Sequence, residues 1–365
     1  MSKQNYIIKS REYQELKETI RKYKQAIAKK IEKSGIIKRH RKIKNASVLV
    51  DAMSAMIIEQ LSFRRLAEYM DAKYKIKMSD TAWEKQIIKC AEAFYKAVTE
   101  ISAAERDNKV HTYLIDASNI PKEGRKGASM RLHCSYCLDQ QDIEETIISD
   151  WHKAESICNY HLLSGSLYIA DRAYGKTNQM AYVMNQKADF LFRLTPNHVR
   201  LYSDKECRTK LNFADILSNT NADLIVLPCY MKCNKKYFHI RVEASRIPEE
   251  KLAEIEHRQK RIAQKKQHKV SPSISLFSKW LILATSLYDS SINLFDLYAK
   301  RWQIELFFKR AKSVFAFRKI RYGSDSYSLS LTHIWVAVVL FASLFAAHSF
   351  LSPFHSFSLF ASTFA

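Results

Sequence analysis

Two aspartates and one glutamate stand where carboxylate chemistry could be done. Asp116 ends the apolar run His111-Thr-Tyr-Leu-Ile, and Asp171 ends Leu167-Tyr-Ile-Ala. Both runs read as buried strands. Strand ends in an α/β sheet open onto the crevice where ligands bind, and a carboxylate there needs a cation or a donor to offset its desolvation. Either Asp alone also fits a structural role, capping the turn that follows it. The third acid is Glu305, in the stretch Asp296 to Lys312. Tyr298, Arg301, Glu305 and Lys312 are spaced by 3, 4 and 7 residues, steps that return to one face of a helix. Leu297, Ile304, Phe307, Phe308 and Ala311 form the opposite, packing face. On the charged face one acid stands among groups that hold phosphates: Arg and Lys by charge, Tyr by stacking or donation. An ordinary amphipathic helix has the same pattern, so the helix alone leaves both readings open.

The Tyr-x2-Arg-x3-Glu-x6-Lys string closely resembles the signature of bacterial insertion-sequence transposases of the DDE type, the insertion-sequence-four group. Leu114-Ile-Asp116-Ala-Ser is similar to the segment around their first Asp, and Ala170-Asp171-Arg-Ala-Tyr174 to the Asp-Arg-Gly-Tyr around the second. Ala173 stands where Gly is commoner, and Phe192-Arg193-Leu194 on the next strand fits as well. The intervals, 55 residues from Asp116 to Asp171 and 134 more to Glu305, match a family that carries a β-rich insertion before its Glu helix.

The resemblance implies an RNase H-like mixed α/β sheet flanked by helices, with Asp116, Asp171 and Glu305 as catalytic and metal-binding residues. It implies two Mg²⁺ (or Mn²⁺) ions, Asp116 bridging them, Asp171 on one and Glu305 on the other. Hard oxygen ligands suit these ions, and a two-ion site clamps both attacking and leaving oxygens of a phosphodiester. Tyr298, Arg301, Lys312, Lys309 and Arg172 are the expected DNA contacts. The reaction is hydrolysis at the element's end, freeing a 3′-OH, and then attack of that 3′-OH on target DNA. The partners are terminal inverted repeats and target DNA, bound by a homodimer on paired ends, in the bacterial cytoplasm at the nucleoid and without a membrane. Two rivals stay open: a silent DNA-binding protein descended from a transposase, and an RNase H-like nuclease that cuts without joining.

The elements that must position these residues can be read in order. Residues 1–105 are helical and basic, and are expected to bind DNA. Residues 1–50 hold 15 Lys+Arg against 4 Asp+Glu, with Lys33 to Lys44 the densest block. Helical pattern runs from Ala55 to Val98, with Met56, Phe63, Leu66, Ala67 and Met70 on one face. A polar break at 71–77 precedes a helix start at Ser79-Asp80-Thr81, where Thr81 and Glu84 have capping-box spacing. The second helix carries Trp83, Ile87, Ile88, Ala91 and Phe94, and the pair is compatible with a helix-turn-helix. Residues 106–195 form the first part of the core. Strands are expected at 111–116, 130–138, 145–149, 167–171 and 189–194, with helices at 154–163 and 176–186. Residues 196–290 form the insertion: strands at 222–230 and 237–244, a basic helix at 249–269, a loop at 271–275 and a strand at 279–285. Residues 291–365 complete the core with one long helix, 293–315, and an apolar helix, 334–347. Fourteen residues are short of the roughly 20 that span a bilayer, so that helix reads as buried. The tail after His348 lacks periodicity; it either packs under the catalytic domain or marks a shortened chain.

Composition narrows the classes. Of 365 residues, 59 are Lys+Arg and 37 Asp+Glu, a net +22 that points to a polyanionic partner. Hydrophobic residues at 47% supply a core, which excludes a disordered tail. Six Gly disfavour nucleotide folds that need glycine where backbone meets phosphate. Gly175-Lys176-Thr177 echoes a P-loop ending, but Ala170 stands where its first Gly must be. Seven scattered Cys without a leader-like segment indicate a reducing setting. Cys134 and Cys137 fall inside an alternating strand with no second pair to complete zinc geometry. Trp302 and the Phe307–Phe308 pair read as core.

Overall fold

Apolar residues at helical spacing account for the first four elements. The computed structural model describes residues 3–37, 42–105, 109–121, 128–265, 267, 272–315, 324–347 and 360. Part of the basic block, residues 38–41, and nearly all of the C-terminal tail lie outside them. Helix α1 (Lys3–Lys33) buries Ile20, Tyr23, Ile27 and Ile31, one stripe at spacings of 3 and 4. Helix α2 (Ala46–Ile58) is capped by Asn45 and α3 (Phe63–Tyr74) by Ser62, each side chain accepting a first-turn N–H. The stretch from Met56 to Met70 is therefore two helices, parted where Gln60 takes a φ of 52°. Phe63, Leu66 and Met70 are buried as the pattern requires. Lys75, left-handed at φ 58°, ends α3. Helix α4 (Asp80–Ala104) buries Trp83, Ile87, Ala91 and Phe94. Its cap is Ser79, whose Oγ accepts from the Ala82 N–H at 3.2 Å, so the cap lies two residues upstream of the expected Thr81 and, with Ala82 at the third position, is a single cap and not a box.

The strands are β1 (Thr112–Pro121), β2 (Ala128–Cys137), β3 (Asp142–Asp150), β4 (Leu167–Ala170), β5 (Asp189–Arg193), β6 (Leu224–Cys233), β7 (Lys236–Arg246) and β8 (Trp280–Thr285). They make one mixed eight-stranded sheet in the order β3-β2-β1-β4-β5-β8-β7-β6. With its flanking helices this is the RNase H-like α/β class that the resemblance implies. The remaining helices are α5 (Thr177–Asn185), α6 (Phe213–Ser218), α7 (Glu249–Lys265), α8 (Pro272–Ser278), α9 (Leu294–Ala299), α10 (Trp302–Val314) and α11 (Asp325–Ala347).

The chain divides into two compact units, one of residues 1–108, 117–154 and 304–365, the other of 109–116 and 155–303. In the second unit β1 pairs parallel with β4, and β4 parallel with β5. β8 joins β5 antiparallel, and β7 and β6 follow, so the strands expected of an insertion extend the sheet itself. Three expectations fail here. Residues 154–163 form no α-helix but a short 3₁₀ turn, Ile157–Asn159, because Gln179 accepts the Ile157 N–H at 2.8 Å and Ser156 caps the turn. The loop expected at 271–275 is largely helix, since Pro272 opens α8. The long helix 293–315 is interrupted at Lys300–Arg301, where backbone bonds tighten to an i to i−3 pattern: Lys300 to Leu297, Arg301 to Tyr298 and Gln303 to Lys300.

In the first unit α11 packs on α4, α2 and β3. It starts nine residues before the expected Ile334, because the polar run from Asp325 is also helical. Asp325–Leu344 is by length and composition long and apolar enough to cross a membrane, so the length argument above does not hold. Its packing supports a buried core helix: Ile334, Trp335, Ala337, Val338 and Phe341 are almost wholly enclosed, and His333 lies 5.0 Å from the ring of Tyr95 on α4. Phe360 is buried against Phe341. Lys24 and Tyr74 both bond to Asp51, tying α1 and α3 to α2.

Two outcomes check this packing. Ser79→Ala should cost about 1 kcal/mol in urea unfolding, while Glu84→Ala should stay within about 0.5. His133 on β2 is fully buried, and burial, then the charges of Arg131 and Lys153, push its imidazole down from 6.5 to about 4. The unfolded chain takes up that proton first, so stability should fall as pH drops from about 6.5 towards 4, by at most ~1.4 kcal/mol per unit. Stability curves of His133→Gln should be flatter than those of the parent chain across that window.

Candidate active site

Register sets the first two acids side by side. Ile115 pairs with Ala170 in the parallel β1–β4 ladder, so the next residues, Asp116 and Asp171, stand abreast where that pairing stops; β4 ends there, but β1 runs on to Pro121, so Asp116 lies within its strand and not at the expected end. Neighbouring strands lie about 4.8 Å apart, close enough for two carboxylates to share a cation. Ala170 pairs in turn with Phe192, so Arg193 ends β5 in the same row. The apolar residues before them, Leu114, Ile115, Ile169, Ala170, Leu191 and Phe192, are fully buried. Three charged residues thus stand in one row on a dry base.

The loop after Asp171 fixes its side chain. Asp171 Oδ1 accepts from the Ala173 N–H at 2.8 Å, and the Asp171 carbonyl accepts from Tyr174 N–H at 3.2 Å. Ala173 fits because its φ is not among the positive ones, so the commoner Gly is not needed there. Gly175 is needed: a Cβ on it would lie 2.4 Å from the Arg193 carbonyl oxygen. Close approach of this loop to β5 depends on that missing carbon. Tyr174 is buried beside it, and burial first, then the charges of Asp116, Glu155 and Asp171, raise its phenol well above 10.0.

The break between α9 and α10 supplies cations. Arg301 sits in it, with Nη1 3.9 Å from Asp116 Oδ2 and its guanidinium 5.7 Å from the Tyr298 ring centroid. Tyr298 is buried; burial raises its phenol, with Arg301 and Arg193 opposing. Burial lowers Arg193, whose charge is offset by Tyr298 and Asp171 and opposed by Arg172 and Arg301. Asp116, Asp171, Tyr298 and Arg301 are thus gathered in one unit, with Arg172 exposed nearby in charge terms.

Glu305, Lys309 and Lys312 belong to the other unit, on α10. The turn at Lys300–Arg301, tightened to i to i−3 bonds, stands between Tyr298 and the residues of α10. Ile304, Phe307, Phe308 and Ala311 are buried, as expected of the packing side. Trp302 is 55% exposed and is not core, having been carried to the outside at the start of α10. Lys309 is exposed; Lys312 is half-buried, lowered by that burial, and donates to Ser118 Oγ at 2.6 Å. Ser118 and Arg193 were not among the expected site residues. A sequence signal existed for Arg193: like the two acids, it directly follows an apolar strand.

Gly175→Ala should cost about 1–3 kcal/mol, since backbone must move to admit the methyl group. Thermal melts of the variant would check it, with an unchanged melting temperature counting against the close approach.

Comparison with known proteins gives the family. The family model described as "Transposase DDE domain" matches residues 99–326. The "Putative transposase InsL for insertion sequence element IS186A" of Escherichia coli (strain K12) is 24% identical over 332 residues, 86% of each chain. The "Transposase for insertion sequence element IS421" of Escherichia coli is 24% identical over 333 residues, again 86% of each chain. With a family match over more than half its length and relatives named as insertion-sequence transposases, this chain belongs to the DDE-type insertion-sequence transposases.

Proposed function

We propose that this transposase cleaves the ends of its own element and joins them to target DNA, with Asp116, Asp171 and Glu305 as its carboxylate triad. The observation that supports this best is the register that sets Asp116 beside Asp171 on a rigid base. The donor set fits Mg²⁺ or Mn²⁺, being all hard oxygen with no His or Cys among the three. Bound there, two ions would offset charge on the attacking and leaving oxygens of a phosphodiester. In cleavage a water oxygen bonds to phosphorus and the P–O3′ bond breaks, leaving a 3′-OH on the element. In joining, that 3′ oxygen attacks a target phosphorus and displaces another 3′ oxygen.

The chain's cations hold the DNA. Arg301, resting against Asp116, is placed to take a phosphate of the element's end. Arg193 and Arg172 stand beside it, and Tyr298 stacks under the guanidinium to limit its swing. Lys312, steadied by Ser118, and exposed Lys309 bind the backbone from α10. The helical region 1–105 reads the terminal inverted repeats, with α3 and α4 as a helix-turn-helix. Residues 106–195 and 291–365 make the core and 196–290 its insertion. Two copies pair two ends, in the bacterial cytoplasm at the nucleoid and without a membrane.

The test uses purified protein and duplexes carrying the candidate ends that flank its gene. Nicking should require Mg²⁺ or Mn²⁺, vanish in Glu305→Gln, and be followed by joined products. Binding without cleavage in either metal would sink the enzymatic reading in favour of a silent binder, and cutting without joining would leave a nuclease. Lys309→Ala should lower the slope of log binding constant against log salt by about 0.9, the share of one phosphate contact.

A further inference from the structure

Helix α7 (Glu249–Lys265) lies in the second unit with no residue buried. Its apolar residues are nevertheless in order. Leu252, Ile255 and Gln259 are half-buried and Ile262 is 46% exposed, and they fall at spacings of 3, 4 and 3. That is the a-d-a-d alternation of a two-stranded helical seam, here with one polar a position.

The charges beside the seam choose an occupant. With Leu252 at a, the g positions are Lys251, Arg258 and Lys265, and the e positions are Glu249, Glu256 and Ala263. In a parallel pair each g residue faces e five residues on, so Lys251 meets Glu256 of a second copy, twice by symmetry, and Arg258 meets neutral Ala263. In an antiparallel pair g faces g and e faces e. Lys251 would meet Lys265, Arg258 its own counterpart, and Glu256 its own counterpart. Like charges face each other at every charged flank of that arrangement.

We propose that α7 is a self-association surface on which two copies of this chain pair, parallel and in register, along Leu252, Ile255, Gln259 and Ile262. Gln259 then lies beside Gln259 of the second copy, where their amides bond only in the in-register pairing. Two heptads make a weak contact, suited to copies already brought together by DNA. The proposal gives the pairing of two copies a surface and does not rest on the catalytic reading.

Sedimentation velocity of the full chain, without DNA or metal and across a concentration series, should show a monomer–dimer equilibrium. The double variant Ile255→Glu, Ile262→Glu should weaken it at least tenfold. Its circular dichroism should match the parent chain, because no residue of α7 is fully buried. Ile255→Cys should cross-link to itself on oxidation above the background of the native cysteines. A parent chain monomeric at every concentration, or a double variant that sediments like it, would overturn the proposal. So would preferential cross-linking between Leu252→Cys and Ile262→Cys chains, which reports antiparallel pairing.

Discussion

Parallel register across β1, β4 and β5 is the constraint on which the rest of this site depends. Pairing Ile115 with Ala170, and Ala170 with Phe192, places Asp116, Asp171 and Arg193 abreast. A slip of one residue would turn every side chain of a strand to the other face. The slip is prevented by apolar residues on both sides of the row, which are buried without remainder. Two carboxylates so close repel each other, and the fold answers with cations: Arg301 at Asp116, and Arg193 and Arg172 around Asp171. Those cations would in turn be repelled but for Tyr298 and the acids between them.

Loops and breaks, more than the strands, tune the row. The turn after Asp171 ties one carboxylate oxygen to backbone, and Gly175 lets that turn lie against Arg193. The interruption between α9 and α10 frees Arg301 from a helical ladder and leaves it beside Tyr298 and Asp116. Breaking a helix forfeits regular backbone bonds, and the i to i−3 bonds at Lys300, Arg301 and Gln303 recover part of them. The first unit carries the basic α1–α4 region, and its core is sealed by the long apolar helix α11.

Much of this was legible in the sequence because it is local. Buried strands announce themselves as short apolar runs, and the core strands lie close to where the pattern predicts them, except that β1 runs five residues past its expected end at Asp116. Signature residues on 293–315 were also legible, but not their arrangement. Apolar spacing continues through Lys300–Arg301 almost unchanged, so periodicity cannot report a turn tightened by one residue. The segment 154–163 fails for the opposite reason: Gln179, far along the chain, captures the Ile157 N–H and holds the backbone out of a helix. Attachment of β6–β8 to β5 is likewise long-range, and strand patterns carry no address for their partners. Ser79 rather than Thr81 as cap was within reach, since both are good caps and only the backbone angle at Ser79 decides between them.

The most direct measurement is Mn²⁺ binding followed by electron paramagnetic resonance, on folded protein without DNA. The parent chain should bind Mn²⁺, and Asp116→Asn and Asp171→Asn should each lose that binding while keeping the circular dichroism of the parent chain, which separates loss of a ligand from loss of the fold. Undiminished Mn²⁺ binding in both variants would contradict the account, since it would place the ion away from the two carboxylates that the sheet sets side by side.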